Sequence, residues 1–180
     1  MFINKAGQNN MLCRRINMKM NSQDLNEAQD LTKILNALDN INPEYVNKIS
    51  DELFKHQPFF LSVLLGYRLD TSLEELDELM KIYFLIWEYF KQNGNLQAKM
   101  VTKASFEEIQ SRNIYMFQYV EGESTENEKL KVYSSDLQHL KSKALLTAVL
   151  YRYNNRPVLL RMEEKKMGNF ARNKKLYRML

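Results

Sequence analysis

Cysteine, glycine and proline are scarce in this chain. Its 180 residues include one cysteine, five glycines and three prolines. A single thiol, Cys13, forms no intramolecular disulfide and cannot supply the several thiolates of a structural zinc site, so we expect a reducing, cytoplasmic environment. Few glycines and prolines leave few tight turns, which favours long helices over short strands.

A long hydrophobic run is missing as well. The most apolar stretch, Leu79 to Phe90, is interrupted by Lys81 and Glu88, and it is far shorter than the roughly 20 residues that a membrane-spanning helix requires. Residues 1–21 are polar and do not have the apolar segment and cleavage site of a signal peptide. The sequence therefore predicts a soluble protein with no membrane contact.

Motifs for covalent catalysis and for nucleotide binding are missing too. The chain has neither a Gly-x-Ser-x-Gly nucleophile motif nor a Walker-type glycine loop. Cys13 lies in the polar N-terminal stretch, where no pattern places a base beside it. We therefore predict no catalytic residues and no cofactor, and we lean towards a protein that is not an enzyme.

Charge is plentiful but unevenly distributed. The net charge of the chain is +4, yet residues 1–21 carry +4, residues 22–155 carry −6 and residues 156–180 carry +6. The basic character of the protein therefore belongs to its two ends, and the body between them is acidic.

The chain divides into three segments by composition. We interpret 1–21 as a flexible basic leader, 22–167 as one helical domain and 168–180 as a basic C-terminal tail. The leader contains Met11, Met18 and Met20, each of which could serve as an alternative translation start, so the sequence leaves open whether the leader belongs to the native protein. With 44% hydrophobic residues, one domain has enough apolar side chains for a core.

Apolar residues recur at three- and four-residue steps through the domain, which is the period of an amphipathic helix. The pattern predicts an all-α fold, a single compact bundle of five to six helices. The segments Pro58 to Gly66 and Leu73 to Gln92 are the most apolar, so we place both at its centre. The predicted helices cover 22–40, 43–56, 58–66, 73–92, 105–122 and 135–154, and 158–162 is a further helical turn or a short strand.

Capping residues mark two of the helix starts clearly. Asn42 stands directly before a proline, and its side chain can accept from a backbone N–H that the helix leaves unpaired. Further along, either Thr71 with Glu74 or Ser72 with Glu75 can form a capping box. Both patterns predict a well-defined helix immediately after them.

The second half of the chain is harder to assign. The capping-box pattern recurs at Ser105 and at Ser135 and predicts a helix start at each, whereas Gly66 is expected to end its helix in the left-handed conformation. Residues 121–128 are predicted to form an exposed acidic loop. A β-hairpin across 114–133 is the competing assignment, because aromatic and β-branched residues are frequent there.

Each of the two histidines has an acidic residue on its own helical face. Glu52 precedes His56 by four residues, and Asp136 precedes His139 by three. Helical bundles that bind two metals use Glu-x-x-His pairs together with further glutamates. The match is partial, and surface pairing of an acid with a histidine is common, so these four residues are candidates for a metal site that we do not otherwise expect.

The basic C-terminal region is the strongest functional lead in the sequence. It combines positive charge, which pairs with phosphate, with aromatic rings that stack on bases. The same charge is also suited to contacts with the acidic body, with a second copy or with a partner protein. The candidate contact residues are Arg161, Lys165, Lys166, Arg172, Lys174, Lys175, Tyr177 and Arg178.

Three functions follow from these patterns. The leading one is a non-enzymatic interaction or regulatory module that binds a partner protein or forms a homo-oligomer. The alternative is a nucleic-acid-binding accessory protein that acts through the basic C-terminal segment. A metal-dependent enzyme with a helical bundle is a distant third. The sequence leaves the partner, the ligand and the oligomeric state open.

Overall fold

The structure, a computed structural model, describes residues 22–93, 100–122, 125–138 and 140–162. Within these residues the chain forms seven α-helices, one 3-10 turn and a closing helical segment, and it contains no strand. None of the described helices is long and apolar enough to cross a membrane. The helices are α1 (Ser22–Leu38), α2 (Pro43–His56), α3 (Pro58–Gly66), α4 (Leu73–Gln92), α5 (Lys103–Gly122), α6 (Glu126–Gln138) and α7 (Lys143–Asn154), with the 3-10 turn at Tyr67–Leu69 and the closing segment at 157–162.

This all-α bundle confirms the predicted fold class. Both clear helix starts are confirmed as well. The side chain of Asn42 accepts a hydrogen bond from the backbone N–H of Tyr45 at 2.8 Å. Of the two capping boxes, Ser72 and Glu75 form the one that starts α4, with bonds of 3.2 and 2.8 Å. Thr71 instead donates its hydroxyl hydrogen to a backbone oxygen of the preceding turn.

Helix α4 forms the centre of the bundle, as its pattern predicts. Its buried face contributes Phe84, Leu85 and Trp87 to a core shared with α1, α2 and α7. A second, smaller core lies at its N-terminal half, where Leu79 and Ile82 pack against Leu64 and the closing segment. The closing segment, which the sequence left as a helical turn or a strand, is helical and buries Leu159 completely.

Helix α3 does not occupy the central position that its composition predicts. Leu64 is its single buried residue, and Leu65 is more than half exposed. An apolar composition indicates that burial is favourable but does not provide neighbours on every side. The prediction for Gly66 is also wrong, because its backbone is right-handed, with φ −59° and ψ −32°, and the chain continues into the 3-10 turn.

Two helices fill the region where a hairpin was the competing assignment. Helix α5 begins at Lys103, two residues before the predicted start, and the preceding residue Thr102 exchanges hydrogen bonds with Ser105. Thr125 and Glu128 form an unpredicted capping box that starts α6 within the expected acidic loop. Helix α6 then runs through Ser135, and the true cap of α7 is Ser142, whose Oγ accepts from the Leu145 N–H at 3.0 Å. This division explains why the helices slightly outnumber the predicted five to six.

Candidate functional site

The metal candidates on α2 have other contacts in the structure. Glu52 accepts hydrogen bonds from the indole N–H of Trp87 at 3.1 Å and from Lys91 Nζ at 2.8 Å. His56 stacks on the same indole ring, with 6.0 Å between the ring centroids. His139 and the side chain of Asp136 lie outside the described residues. In the described part of the chain, no three acidic, histidine or cysteine residues are grouped to hold a metal ion.

The basic contact candidates lie almost entirely outside the described residues. Arg161 is exposed on the closing segment. The others, Lys165, Lys166, Arg172, Lys174, Lys175, Tyr177 and Arg178, lie beyond residue 162, so nucleic-acid binding stays a prediction from the sequence. The structure does add that Arg156, the first basic residue of this region, is paired with the acidic body.

An open groove lies between α1 and α7, with a volume of about 470 Å³. Its floor consists of apolar and small side chains, among them Leu31, Ala144 and Ala148, which are buried. The rim is uncharged, and a group of charged residues closes one end. The rim residues are Thr32, Asn36, Thr147, Tyr151 and Asn155, and the end residues are Asp39, Arg152 and Arg156.

Several polar groups on the rim are already bonded to their own helices. Thr32 donates its hydroxyl hydrogen to the backbone oxygen of Ala28 at 2.7 Å, and Thr147 donates to that of Lys143 at 2.8 Å. The side-chain amide of Asn155 likewise donates to the backbone oxygen of Tyr151 at 2.8 Å. The groove therefore offers chiefly methyl groups and small apolar surfaces, which favours packing over polar recognition.

Two groups of polar contacts hold the walls of the groove, one group at each end. At the first end, the carboxylate of Glu27 on α1 accepts from the hydroxyl of Tyr89 on α4 at 2.9 Å and from Ser142 Oγ at 2.6 Å. At the other end, Arg152 on α7 donates to Asp39 Oδ1 and to Glu78 Oε2, both at 3.0 Å. Helices α1 and α7 therefore run in the same direction, and both are attached to α4.

The positive and negative charges at the charged end of the groove balance each other. Arg152 has a side chain that is only 2% exposed, and Arg156 adds ion pairs to the same two acids, Asp39 and Glu78. Two guanidinium groups thus face two carboxylates. An occupant of the groove therefore meets little net charge at this end.

Acid will weaken the carboxylate contacts of Asp39 and Glu52. Burial acts to raise the pKa of each group. The hydrogen bonds and charge attraction of the neighbours, Arg152 and Arg156 at Asp39 and chiefly Lys91 at Glu52, together outweigh burial and lower both pKa values below their ordinary values of 3.8 and 4.5. The stability that a lowered pKa contributes is complete above the unfolded value and is lost as the pH falls through the folded value. We expect the free energy of unfolding in urea to fall between about pH 5 and pH 3.

The matched variant for this measurement is Glu52→Gln, which removes one of the two titrating groups. It should make the loss of unfolding free energy on acidification smaller. An equal loss in both proteins would contradict the role assigned to Glu52.

Sequence reasoning missed the groove. Its walls are more than 100 residues apart in the chain, so no local pattern connects them. The available signal was the presence of alanines at Ala28, Ala144 and Ala148 on otherwise larger apolar faces, because small side chains leave space between helices.

Comparisons with protein-family models, with curated proteins and with solved structures gave no match for this chain.

Proposed function

We propose that this protein is a non-enzymatic interaction module that binds an amphipathic helix in the groove between α1 and α7. The helix comes from a partner protein or from a second copy. The observation that carries the proposal is the combination of an apolar floor with an uncharged rim. The hydroxyl groups of Thr32 and Thr147 on this rim already donate to the backbone of their own helices. Helix-in-groove binding depends on such surfaces, since the bound helix contributes its apolar face.

The dimensions of the groove suit a helix. The wall runs from Ala28 on α1 to Asp39, the residue that directly follows this helix. These eleven steps correspond to about 16 Å at the rise of an α-helix, or three turns. Alanines at positions 28, 144 and 148 line the groove, and their small side chains permit close approach of another helix. A polar metabolite of similar length would find few hydrogen-bond partners along this floor, because the charged groups are concentrated at one end.

A photo-crosslinking amino acid in place of Thr147, which is exposed on the rim, tests the proposal. After irradiation of intact cells, we expect a crosslinked product whose attached peptide has an amphipathic helical pattern. The matched control position is Lys33, whose side chain is 78% exposed but does not line the groove. Position 33 should give little product.

A second substitution, Thr32→Arg, places a charge on the opposite rim and should reduce the product from position 147 by about tenfold, corresponding to 1.4 kcal/mol of binding free energy. Equal yields from positions 147 and 33, or no effect of Thr32→Arg, would refute the groove as a binding site. Sequencing the crosslinked peptide distinguishes a second copy of this chain from another protein.

A further inference from the structure

Three leucines lie in solvent where α3, the 3-10 turn and α4 follow one another. Leu65 is 56% exposed, Leu69 is 90% exposed and Leu73 is 78% exposed, and all three fall within nine consecutive residues. We call them the leucine surface. It is separate from the residues that line the groove between α1 and α7. Single exposed apolar residues are common on proteins, whereas several gathered in one place mark a contact surface.

The described part of the chain ends beside this surface. Met162, the last residue described, is buried in the second core together with Leu64 of α3. Tyr67 of the 3-10 turn and Leu76 of α4 pack against the same core. Leu64, Tyr67 and Leu76 each lie within three positions of one of the exposed leucines. The segment 163–180, which follows Met162, therefore starts next to the leucine surface.

The charges around the leucine surface favour a basic occupant. Asp70 and Glu74 are exposed among the leucines, and Arg68, also exposed, opposes them with one positive charge. Neither carboxylate has an ion-pair partner among the described residues. The segment 163–180 contains six basic residues and two acidic ones, a net charge of +4. Its charge is therefore opposite to the net charge beside the leucines, and opposite charges at this distance attract.

The same segment also carries apolar side chains. Two of them are aromatic rings, which provide the largest apolar area per residue. These side chains are those of Met167, Phe170, Leu176, Tyr177, Met179 and Leu180. Apolar and basic residues thus alternate in a segment that begins beside an apolar and acidic surface.

We infer that the segment 163–180 folds back on the body and covers the leucine surface. Phe170 and Tyr177 pack against the leucines, and the basic residues between them face Asp70 and Glu74. The reach is sufficient, because Phe170 is eight residues beyond Met162 and an extended chain covers up to about 3.5 Å per residue.

The attachment of the segment favours it over any other occupant. A segment joined to the body by a short length of chain has an effective concentration on the order of millimolar at a neighbouring surface. A second copy or another protein has to compete with it at that concentration. This contact lies on a different surface from the groove, so it adds to the proposed function and does not depend on it.

A photo-crosslinking amino acid in place of Leu69, in the full chain, tests the inference. An equal mixture of isotope-labelled and unlabelled protein is irradiated and digested. We expect a product of monomer mass, in which position 69 is joined to a peptide from 163–180 with the same label. The matched control position is Leu25, which is 57% exposed on α1 and lies outside the second core. It should give little of this product.

A pair of matched double variants tests the role of the two rings. Phe170→Asp with Tyr177→Asp should reduce the yield from position 69 by about tenfold, because a carboxylate loses hydration without gaining a partner beside leucine. Asn169→Asp with Asn173→Asp adds the same two negative charges to the same segment but keeps both rings, so it should retain most of the yield.

Three results would overturn the inference. The first is a link from position 69 only between differently labelled molecules, which would make a second copy the occupant. The second is the absence of any link to 163–180. The third is an equal yield from the two double variants, which would show that the rings do not contact the leucine surface.

Discussion

Replacing Phe84 with alanine should lower the free energy of unfolding by about 3–5 kcal/mol. Phe84 is 0% exposed and is among the largest fully buried side chains of the described chain. It lies on the central helix α4, in the core that α1, α2 and α7 share, so the vacated space has packed neighbours on several sides and cannot collapse easily. In a chain of this size the melting temperature should fall by roughly 10 °C.

The matched control is Phe90→Ala, which removes the same ring from the same helix. Phe90 is 38% exposed and contacts Tyr89 edge to face, so its loss should cost about 1 kcal/mol. Urea unfolding followed by circular dichroism measures both variants. Equal losses would show that α4 is not the buried centre that the structure describes.

The helix starts that could be predicted are those whose capping groups lie close together in sequence. Asn42 bonds to an N–H three residues later, and Ser72 and Glu75 bond to each other. Each contact satisfies a backbone group that the helix leaves unpaired, and its geometry depends on a few consecutive residues. Neighbouring helices are not needed to form it, so the residues themselves are a sufficient guide.

The start of α7 was mispredicted because local patterns competed. Ser135 has a partner at the correct spacing, and so does Thr125, which forms its box with Glu128. The position of α7 depends on Ser142, whose hydroxyl donates to Glu27, 115 residues away. A contact of this kind depends on how the helices pack against each other. It cannot be predicted from the pattern of consecutive residues.

The prediction that α3 is central was wrong for a related reason. Its nine residues are apolar on nearly every side, and the prediction assumed that this surface would be covered. The structure instead buries Leu64 and leaves Leu65 more than half exposed. Apolar composition sets the free energy that burial would yield, whereas the number of neighbouring helices sets how much burial takes place.

The candidate site was the least predictable feature. The residues singled out in the sequence were the charged and histidine-containing ones, because their chemistry can be recognised in isolation. The groove consists of ordinary residues such as Leu31, Thr32 and Ala148, which acquire a function only through their arrangement. Arg156 was counted with the basic C-terminal end, yet in the structure it pairs with acids of the body.

Removing the charge of Glu78 should lower the free energy of unfolding by about 3 kcal/mol, because it leaves a buried cation without one of its two partners. Arg152 has a side chain that is 2% exposed, and its other partner, Asp39, is 47% exposed. The test variant is Glu78→Gln, which keeps the shape of the side chain. Asp77→Asn is the matched control, since Asp77 is adjacent and 47% exposed, and its partner Lys81 keeps Glu78 as a second acidic partner. It should cost less than about 1 kcal/mol.

The double variant Glu78→Met with Arg152→Met separates a buried charge from a general loss of packing. With both charges gone, no unpaired ion remains in the interior, and the buried Nε of Arg152, which has no hydrogen-bond acceptor among the described residues, is removed as well. We expect the double variant to recover most of the stability that Glu78→Gln loses. A double variant that is less stable than Glu78→Gln would refute this account.

Because Asp39 and Arg152 also close the end of the groove, Glu78→Gln should in addition weaken crosslinking from position 147, while Asp77→Asn should not.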